Sequence, residues 1–580
     1  MRNLTLDKVC KVFCNYHLLL GLCVFVWIAF YNGEFWLKVN EYIQSYNAEI
    51  LQDIKNQNLL DKNEQNNSHQ AQNLSKSFID SPFMLKSSIF LAMLSLLWLI
   101  CEILILRAYA VVFVGVLFII AGVSSYFLDS LHISFNPSII DSLLQTNWRE
   151  ASDYFSVGFV VHLCVFVGLP LMVLIGILFK AKPHKQRIKF LKGKILVFLC
   201  CVIAILYLAQ GARIIEVFKA QKLLLVLNPF APIRASIDLI TDKIQTPSHY
   251  THLGQDAKTT AKNKLVIFVI GESARAQNFA YNGYKRNTNP HTSKIQNLIY
   301  FRDFTSCGVI TAISVPCMLT PYPRKDYSHR NLSFYSDSVL DVVKKAGVSV
   351  YWLSNNGGEC VGGVCNRLDK DKVMYFNKSG QFDGDMLPHI ESIIKNASNN
   401  KIINQIAKGR AKENSSQNNT LLVVQLQGSH GARYDLRYPK EFERFSPVCA
   451  NNELSQCNSQ HIQNAYDNSL IYSDFLLASI IKMLDSSTLN EVALWYVSDH
   501  GESLGEYGQY MHGSLPYSLA PKVQKHIPSF MWFKSPKAYN AQNLESKKAN
   551  PYSHDFVFHT LLGLLQIQTK DYDKSLDMLK

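Results

Sequence analysis

The sequence predicts an α-helical membrane domain with five spans, followed by a large α/β domain with a doubly wound, mainly parallel sheet. Three observations lead to this prediction. Five apolar runs occur within the first 211 of the 580 residues. Short, nearly continuous runs of Val, Ile and Leu recur in the second half, separated by helical patterns. Six of the 13 cysteines lie in that second half as three close pairs, so the two halves are expected to occupy different environments.

Each apolar run is long enough to cross a hydrocarbon core, which takes about 20 residues of helix. The five predicted spans are 13–31, 83–106, 108–127, 157–179 and 195–211. The first run is too long for a cleaved signal peptide, and no small-residue cleavage site follows it. We therefore expect it to stay in the protein as an anchor.

Charges in the short connections predict the orientation of the spans. The segment 180–194 contains seven Lys and Arg residues and no acid, which is typical of a cytoplasmic loop. Arg2, Lys8 and Lys11, before the first span, agree with this orientation. Because the number of spans is odd, the C-terminal half is predicted to lie outside the cytoplasm.

The cysteines give an independent indication of the compartment. The pairs are Cys307 with Cys317, Cys360 with Cys365, and Cys449 with Cys457. Paired cysteines favour an oxidising compartment, although spacing alone does not fix their connectivity. A reduced metal site is the alternative, and it is weaker because no pair shows the double C-x-x-C arrangement of structural zinc sites. The other seven cysteines lie in or beside apolar runs, where a thiol behaves as a small hydrophobic group.

The remaining segments of the first half carry no predicted chemistry. Residues 40–81, rich in Asn, Gln and Lys, are predicted to be an exposed and partly disordered insert. The amphipathic run 212–227 is suited to the membrane surface and opens a bridge. The predicted domains are 1–211 (transmembrane), 212–262 (bridging helix and linker) and 263–580 (α/β). The net charge of +13 owes much to the loop 180–194, and without a nucleic-acid motif no nucleic-acid partner is predicted.

The α/β domain is predicted from alternating strands and helices. Four apolar runs have the composition of strands buried on both faces of a parallel sheet: 265–270, 348–353, 421–426 and 492–497. Helical patterns such as 338–346 and 466–484 separate them. The expected architecture is therefore a sheet covered by helices on both faces.

Polar motifs directly follow three of these strands. Glu272 follows the first, His430 follows the third, and Asp499 and His500 follow the fourth, each with a glycine nearby. Ligands of open α/β sheets bind beyond the carboxyl ends of the strands, so these side chains are predicted to converge on a zinc or manganese ion. The alternative is that each motif is only a helix cap or a turn, since Asp, Ser and Gly are favoured there.

A metal site of this kind needs a nucleophile or a substrate oxygen to activate. The run 306–317 offers Thr311, which is predicted to open a short helix whose N-terminus would favour a phosphoryl group. Ser306 and Ser314 are rivals on composition, and all three hydroxyls could instead serve as caps.

The motifs together resemble a known family. The run 269–275 (VIGESAR), the loop from Thr311 through Ser314-Val315-Pro316-Cys317-Met318, and the run 498–506 (SDHGESLGE) are similar to the signature blocks of the lipid A phosphoethanolamine transferases. These enzymes belong to the alkaline phosphatase and sulfatase superfamily and include the polymyxin-resistance enzymes. The resemblance extends over almost the whole chain, from the five spans through the bridge to a periplasmic catalytic domain.

By position, the resemblance implies zinc ligands at Glu272, Thr311, Asp499 and His500, with Thr311 also the nucleophile. His430 and His512 match histidines that bind substrate phosphate or a second zinc ion. The resemblance also implies that the three cysteine pairs are disulfides.

A substrate-binding loop is implied at 139–151, where Thr146 and Glu150 fit the pattern. Ser142 replaces the family asparagine there, and the lysine expected near Val361 is missing. Both departures concern head-group binding and leave the chemistry intact.

The implied function is ping-pong transfer of phosphoethanolamine from phosphatidylethanolamine to lipid A, or a related envelope acceptor, through a covalent threonine intermediate. The protein is expected to lie in the bacterial inner membrane, and the modification is expected to give resistance to cationic peptides and polymyxin. A phosphoglycerol transferase or a sulfatase-like hydrolase of the same superfamily is the close alternative. A non-enzymatic membrane receptor or scaffold is the alternative from another class.

Overall fold

The structure of the protein is a computed structural model. It describes residues 16–60, 82–104, 110–146, 148–152, 155–180, 188–244, 247, 249–327, 331–357, 360–376, 378, 380–407 and 418–580. The basic residues Arg2, Lys8 and Lys11, and residues 181–187 of the predicted cytoplasmic loop 180–194, lie outside the described residues.

The chain divides into two compact units. The helical unit comprises residues 1–135 and 156–235, and the α/β unit comprises residues 136–155 and 236–580. The segment 136–155, which lies between two predicted spans, therefore groups with the C-terminal unit. The domain boundaries predicted at residues 211 and 262 stay predictions.

Sixteen helices are described, numbered in chain order. They are α1 Tyr16–Phe30, α2 Gly33–Leu60, α3 Pro82–Leu104, α4 Ala110–Leu131, α5 Pro137–Gln145, α6 Trp148–Ser152, α7 Val157–Leu163, α8 Leu169–Lys180, α9 Ile188–Ala220, α10 Phe230–Ile244, α11 Thr311–Met318, α12 Val339–Lys345, α13 Leu387–Ala407, α14 Ser459–Ser486, α15 Ala541–Ser546 and α16 Val557–Leu564. A single π-helical turn, Cys164–Gly168, joins α7 to α8.

Four helical stretches are long and apolar enough to cross a membrane: 82–104, 112–131, 157–176 and 193–220. Helices α1 and α2 form a fifth candidate as a pair bent by 60°. These spans match the last four predicted ones, and the predicted first span (13–31) corresponds to α1. The protein is thus a membrane protein with up to five spans and a separate α/β unit.

Residues 40–81 are predicted to be an exposed and partly disordered insert, and their first half is helical. Residues 40–60 continue α2 without a break, while residues 61–81 lie outside the described part of the chain. Phe35, Val39 and Ile43 recur every four residues along α2 and are buried. An apolar stripe at this spacing stabilises a helix by packing, even though the surrounding composition is polar.

The run 212–227 does not form a separate surface helix. Residues 212–220 continue α9, which spans 33 residues, and a short 3₁₀ turn follows at Leu223–Leu225. Val217 and Leu223 are fully buried within the helical unit. Part of the run therefore packs within the helical unit, and its contact with the membrane surface stays a prediction.

The α/β unit is built on a seven-stranded sheet with the order β3-β11-β8-β2-β7-β5-β6. Strands β8, β2, β7, β5 and β6 are parallel, and β11 is antiparallel to both of its neighbours. The strands, in chain order, are β1 Lys258–Thr259, β2 Leu265–Gly271, β3 Leu298–Phe301, β4 Asp303–Thr305, β5 Ser349–Ser354, β6 Val373–Tyr375, β7 Thr420–Gln425, β8 Val492–Ser498, β9 Ser503–Leu504, β10 Tyr510–Met511, β11 Ser529–Phe533, β12 Pro551–Ser553 and β13 Ile567–Gln568. The four predicted strands, confirmed to within one residue, are the central ones β2, β5, β7 and β8.

The sheet is covered on both faces, as a buried parallel sheet requires. Alternate residues of β2 enter two different hydrophobic clusters: Val266, Phe268 and Ile270 contribute to one, and Leu265, Ile267 and Val269 to the other. All of these side chains are at most 1% exposed. The apolar run therefore fixes β2 at the centre of the sheet, with its carboxyl end at the edge that carries Glu272.

Three disulfides lie in the α/β unit, and they join the pairs implied by the family resemblance. They are Cys307–Cys317, Cys360–Cys365 and Cys449–Cys457. The first disulfide closes a short loop that contains Thr311, because Thr311 lies between the two cysteines in the chain. Cys317 itself lies inside α11. Such a bond reduces the conformational freedom of the unfolded loop.

Asp337 forms a buried ionic junction in the α/β unit. Its Oδ1 accepts from the Tyr250 hydroxyl at 2.9 Å, and its Oδ2 accepts from the Leu253 N–H at 2.8 Å and from Lys345 Nζ at 2.6 Å. Burial opposes ionisation of Asp337, but these donors, led by Lys345, hold its pKa below the ordinary value.

Asp337→Asn is expected to lower the free energy of unfolding of the α/β unit by about 1–3 kcal/mol, because Lys345 loses its charged partner. A carboxylate with a lowered folded-state pKa contributes stability above its unfolded pKa of about 3.9, and this contribution is lost as pH falls through the folded pKa. Thermal melts of wild type and variant should therefore differ at pH 7 and converge toward pH 3. Asp369→Asn, which removes an exposed pair with Lys344, is the matched control and should change the melt little. A pH-independent difference would contradict the electrostatic explanation.

Candidate active site

The predicted site residues stand at one edge of the sheet. Glu272 follows β2, His430 lies in the loop after β7, and Asp499 and His500 follow β8. Strand β2 pairs in parallel with both β7 and β8, so the carboxyl ends of the three strands are adjacent. Gly428 allows the β7 loop to approach closely: its φ is +50°, and a Cβ there would lie 2.7 Å from the Glu272 carbonyl oxygen.

These side chains form a compact cluster around the Glu272 carboxylate. His500 Nε2 lies 3.5 Å from Glu272 Oε1 and 3.4 Å from Asp499 Oδ2. His430 Nδ1 lies 3.2 Å from Glu272 Oε1. Glu272, Asp499 and His500 are buried, so the predicted convergence is present in the structure.

Thr311 is the hydroxyl that faces this cluster. It is the first residue of α11, and its Oγ1 donates to Glu272 Oε2 at 3.0 Å and lies 3.3 Å from His500 Nε2. The rival hydroxyls are bonded to the backbone: Ser306 donates to the Gly308 carbonyl at 2.6 Å, and Ser314 donates to the Asp499 carbonyl. Geometry therefore favours Thr311 over both serines.

His512 completes the group on the other side. One ligand atom each from Glu272, His500 and His512 lies within 4.8 Å of the others, a separation suited to a bound metal ion. His512 Nδ1 lies 3.2 Å from Glu502 Oε2, and the rings of His500 and His512 are 4.1 Å apart between centroids. The cluster thus offers imidazole and carboxylate donors that suit zinc or manganese.

The electrostatics of the cluster fit a bound cation. Asp499 Oδ2 is buried and receives no hydrogen bond. Burial and the neighbouring Glu272 charge raise the pKa of Asp499 well above its usual range. Burial would likewise raise the pKa of Glu272, but the imidazoles, led by His500, hold it well below its usual range. Burial lowers the pKa of both His500 and His512 to about 4, so their ring nitrogens are available as neutral ligands.

Two residues of the site were not predicted from the sequence. Asn356, two residues beyond β5, donates through Nδ2 to Glu272 Oε2 at 2.5 Å. Glu502 is fully buried beside His512, and burial raises its pKa to about 8. The strand-end rule that identified Glu272 also applies to Asn356, because β5 ends at the same edge of the sheet.

The predicted substrate-binding loop 139–151 belongs to the α/β unit, where it forms α5 and α6. Asn136 caps α5 and donates through Nδ2 to the Gly513 carbonyl at 2.8 Å, next to His512. Thr146 donates to the Ser142 carbonyl at 2.8 Å, within its own helix. The Glu150 side chain lies outside the described residues. The roles of Ser142, Thr146 and Glu150 in substrate binding stay predictions.

The fold and the cluster together define an α/β enzyme domain of the sulfatase class attached to membrane helices. The family model described as Sulfatase matches residues 264–567, and the model described as phosphoethanolamine transferase EptA/EptB matches residues 93–244. Phosphoethanolamine transferase EptA of Escherichia coli K12 is 33% identical over 488 residues, which cover 80% of this chain and 84% of that protein. The chain belongs to the phosphoethanolamine transferase family.

Two further comparisons extend this result. Phosphatidylethanolamine transferase Mcr-1 of Escherichia coli is 30% identical over 477 residues, covering 78% of this chain and 82% of that protein. The solved structure of the integral membrane lipooligosaccharide phosphoethanolamine transferase A (EptA) from Neisseria meningitidis matches with a TM-score of 0.78 and 26% identity, and covers 97% of both chains. The family resemblance seen in the motifs is therefore confirmed along the membrane and α/β parts alike.

Proposed function

We propose that this protein transfers phosphoethanolamine from phosphatidylethanolamine to lipid A through a covalent intermediate on Thr311. The observation that carries the proposal is the Thr311 hydroxyl, held between Glu272 Oε2 and His500 Nε2 at the N-terminus of α11. Family membership supports the transferred group and the lipid acceptor. Zinc, held by Glu272, Asp499, His500 and the Thr311 oxygen, would supply the positive charge that makes the hydroxyl acidic and offsets the phosphodiester charge.

The first half of the reaction forms the intermediate. Thr311 Oγ1 attacks phosphorus, the bond from phosphorus to the diacylglycerol oxygen breaks, and diacylglycerol leaves. Glu272 Oε2, which already accepts from this hydroxyl, is placed to hold its proton. The first N–H groups of α11, a helix of eight residues, add a favourable electrostatic environment for the phosphoryl oxygens.

The second half returns Thr311 to its starting state. An acceptor oxygen attacks the same phosphorus, the bond to Thr311 Oγ1 breaks, and Thr311 Oγ1 takes back its proton from Glu272 Oε2. His430 lies beside Glu272 and is the imidazole placed to protonate the leaving diacylglycerol oxygen in the first half and to accept the proton of the acceptor in the second. His512, which burial keeps neutral, can donate a hydrogen bond to the phosphoryl oxygens. Asn356 keeps Glu272 Oε2 oriented toward Thr311 through its 2.5 Å hydrogen bond.

The α/β unit is proposed to lie in the periplasm, and the helices in the inner membrane. Three disulfides in this unit support an oxidising compartment. The loop with seven cations, predicted to stay in the cytoplasm, supports the orientation that places this unit on the opposite side of the membrane. The donor lipid would then share the bilayer with the helices. An added ethanolamine places a cation on an anionic glycolipid and so weakens its attraction for polymyxin and other cationic peptides.

Expression of the wild-type chain in a polymyxin-sensitive Gram-negative host is expected to add phosphoethanolamine to lipid A. Mass spectrometry of lipid A from these cells and from cells carrying an empty vector checks this. Incorporation of head-group-labelled phosphatidylethanolamine would identify the donor. Phosphoglycerol on lipid A would favour the alternative transferase, and unmodified lipid A despite a folded protein in the membrane would contradict lipid A as the acceptor.

A further inference from the structure

Two cationic side chains flank one aromatic ring outside the metal cluster. The guanidinium carbon of Arg324 lies 3.7 Å from the centroid of the Tyr517 ring, and Lys525 Nζ lies 5.3 Å from the same centroid. All three side chains are half-buried, so they keep access to solvent. We call Arg324, Tyr517 and Lys525 the cation pair with its ring.

The cation pair is attached to the loop that leads to Thr311. Arg324 Nη1 donates to the Cys307 carbonyl, and the Tyr517 hydroxyl donates to the Ser306 carbonyl at 2.8 Å. The Ser306 N–H in turn donates to the Lys525 carbonyl at 2.8 Å. Thr311 follows Cys307 by four residues, so their Cα atoms are at most about 14 Å apart. The pair therefore contacts the start of the disulfide-closed loop that carries Thr311.

The pair carries two positive charges, and burial, which lowers the pKa of Arg324, is partly offset there by the charge of Asp555. Its side-chain hydrogen bonds go to carbonyl oxygens, from Arg324 to Cys307 and from Lys525 Nζ to Tyr517 at 3.2 Å. Among the residues that the structure describes, no carboxylate oxygen lies within 4 Å of either cationic group. The acid that contacts Arg324 is Asp555, whose Oδ1 accepts from the Arg324 backbone N–H at 2.8 Å.

The pKa values agree with this arrangement. Burial lowers the pKa of Lys525, and the charge of Arg324 lowers it further. Arg324 and Lys525 repel each other electrostatically, and each has N–H donors beyond the hydrogen bonds given above. Together they provide a site for an anion with several oxygens, such as a phosphate.

We propose that Arg324 and Lys525 bind a second phosphate group of the acceptor glycolipid while its reacting oxygen approaches Thr311. The proposal rests on the proposed function, because it names the acceptor side of that reaction. The donor phosphate must occupy Thr311 itself, so an anion bound at the pair belongs to another group. The pair would orient a bisphosphorylated acceptor and select it over a neutral lipid.

The test uses the purified full-length protein in detergent micelles and separates the two half-reactions. Diacylglycerol release and the mass of the protein report formation of the Thr311 intermediate, which needs no acceptor. Lys525→Gln is expected to leave this step unchanged and to raise the acceptor KM by about tenfold or more. Arg324→Gln also removes the hydrogen bond to the Cys307 carbonyl, so its acceptor KM is compared with its own rate of intermediate formation and is expected to rise by a similar factor. Lys522→Gln, an exposed lysine three residues before Lys525, is the matched control and should change neither step.

A monophosphorylated form of the acceptor distinguishes recognition from a structural role. The KM penalty of both variants is expected to disappear with this acceptor, because the group that the pair would bind is missing. An equal penalty on both acceptors, or no penalty on either, would overturn the proposal. Equal competition by an anionic phospholipid without a sugar would reassign the pair to bilayer head groups and would also overturn it. Failure of the wild type to form the intermediate would instead contradict the proposed function.

Discussion

Thr311→Ala is expected to lower the rate of phosphoethanolamine transfer by at least about 10⁴-fold, the order of loss seen when a nucleophile is removed from a site that acts as a unit. The hydroxyl that donates to Glu272 Oε2 at 3.0 Å disappears, and no other described hydroxyl of the 306–317 loop faces the cluster. Both half-reactions should fail, so neither diacylglycerol release nor a mass increase of the protein should be seen. Lipid A mass spectrometry and a thermal melt are the measurements.

The folded state should survive this change, because one partly buried hydrogen bond contributes only about 1 kcal/mol. Thr311→Ser keeps a hydroxyl at the same position and should retain measurable transfer. Ser306→Ala removes a hydroxyl that donates to the Gly308 carbonyl, and transfer should stay within a few-fold of wild type. Full transfer by Thr311→Ala, or equal losses in Thr311→Ala and Ser306→Ala, would refute the assignment of the nucleophile.

Asp499→Asn is expected to remove bound metal and, with it, transfer. The substitution replaces a buried carboxyl group, the proposed metal ligand, by a neutral amide of the same shape. Loss of residues that only orient a ligand costs about 10–100-fold in metal affinity, so loss of the ligand itself should exceed that range. Elemental analysis of the purified protein should show about one zinc or more per wild-type chain and a near-background value for the variant.

Stability with and without metal gives a second readout. In the metal-free protein, Asp499 is buried against the Glu272 charge, so Asp499→Asn should not lower the melting temperature and should raise it slightly. Zinc at about 1,000 times its Kd should stabilise the wild type by about 4 kcal/mol and the variant far less. Asp337→Asn, a buried carboxylate outside the cluster, should lose stability while keeping its metal. Retention of metal and activity by Asp499→Asn would contradict the ligand assignment.

The central sheet and much of the site could be predicted because both follow from short-range patterns. Strands β2, β7 and β8 are continuous apolar runs, and parallel pairing places their carboxyl ends side by side. Glu272, His430 and Asp499 were therefore located by their positions directly after strands. Composition alone did not separate Thr311 from Ser306 and Ser314; the family resemblance implied Thr311, and the structure places its hydroxyl against Glu272.

The helix extensions that the sequence did not predict have a common physical cause, which is tertiary packing that local composition does not reveal. Helix α2 extends through a polar stretch because Val39 and Ile43 are buried in the helical unit. Residues 212–220 continue α9 for a similar reason, with Val217 fully buried. Glu502 became recognisable as a site residue only through its contact with His512. Asn356, which contacts Glu272, could have been found by the strand-end rule.

The grouping of residues 136–155 with the α/β unit has a consequence for engineering this family. Asn136 Nδ2 reaches the Gly513 carbonyl, and a side chain at Gly513, with φ +75°, would collide with Ile310 and approach Ile139. An excised fragment that starts after the last span would lack the partner of the Gly513 carbonyl, one residue from His512. A chimaera between two family members should therefore exchange the short inter-span segment together with the C-terminal domain, as one cassette encoded by two separate stretches of the gene.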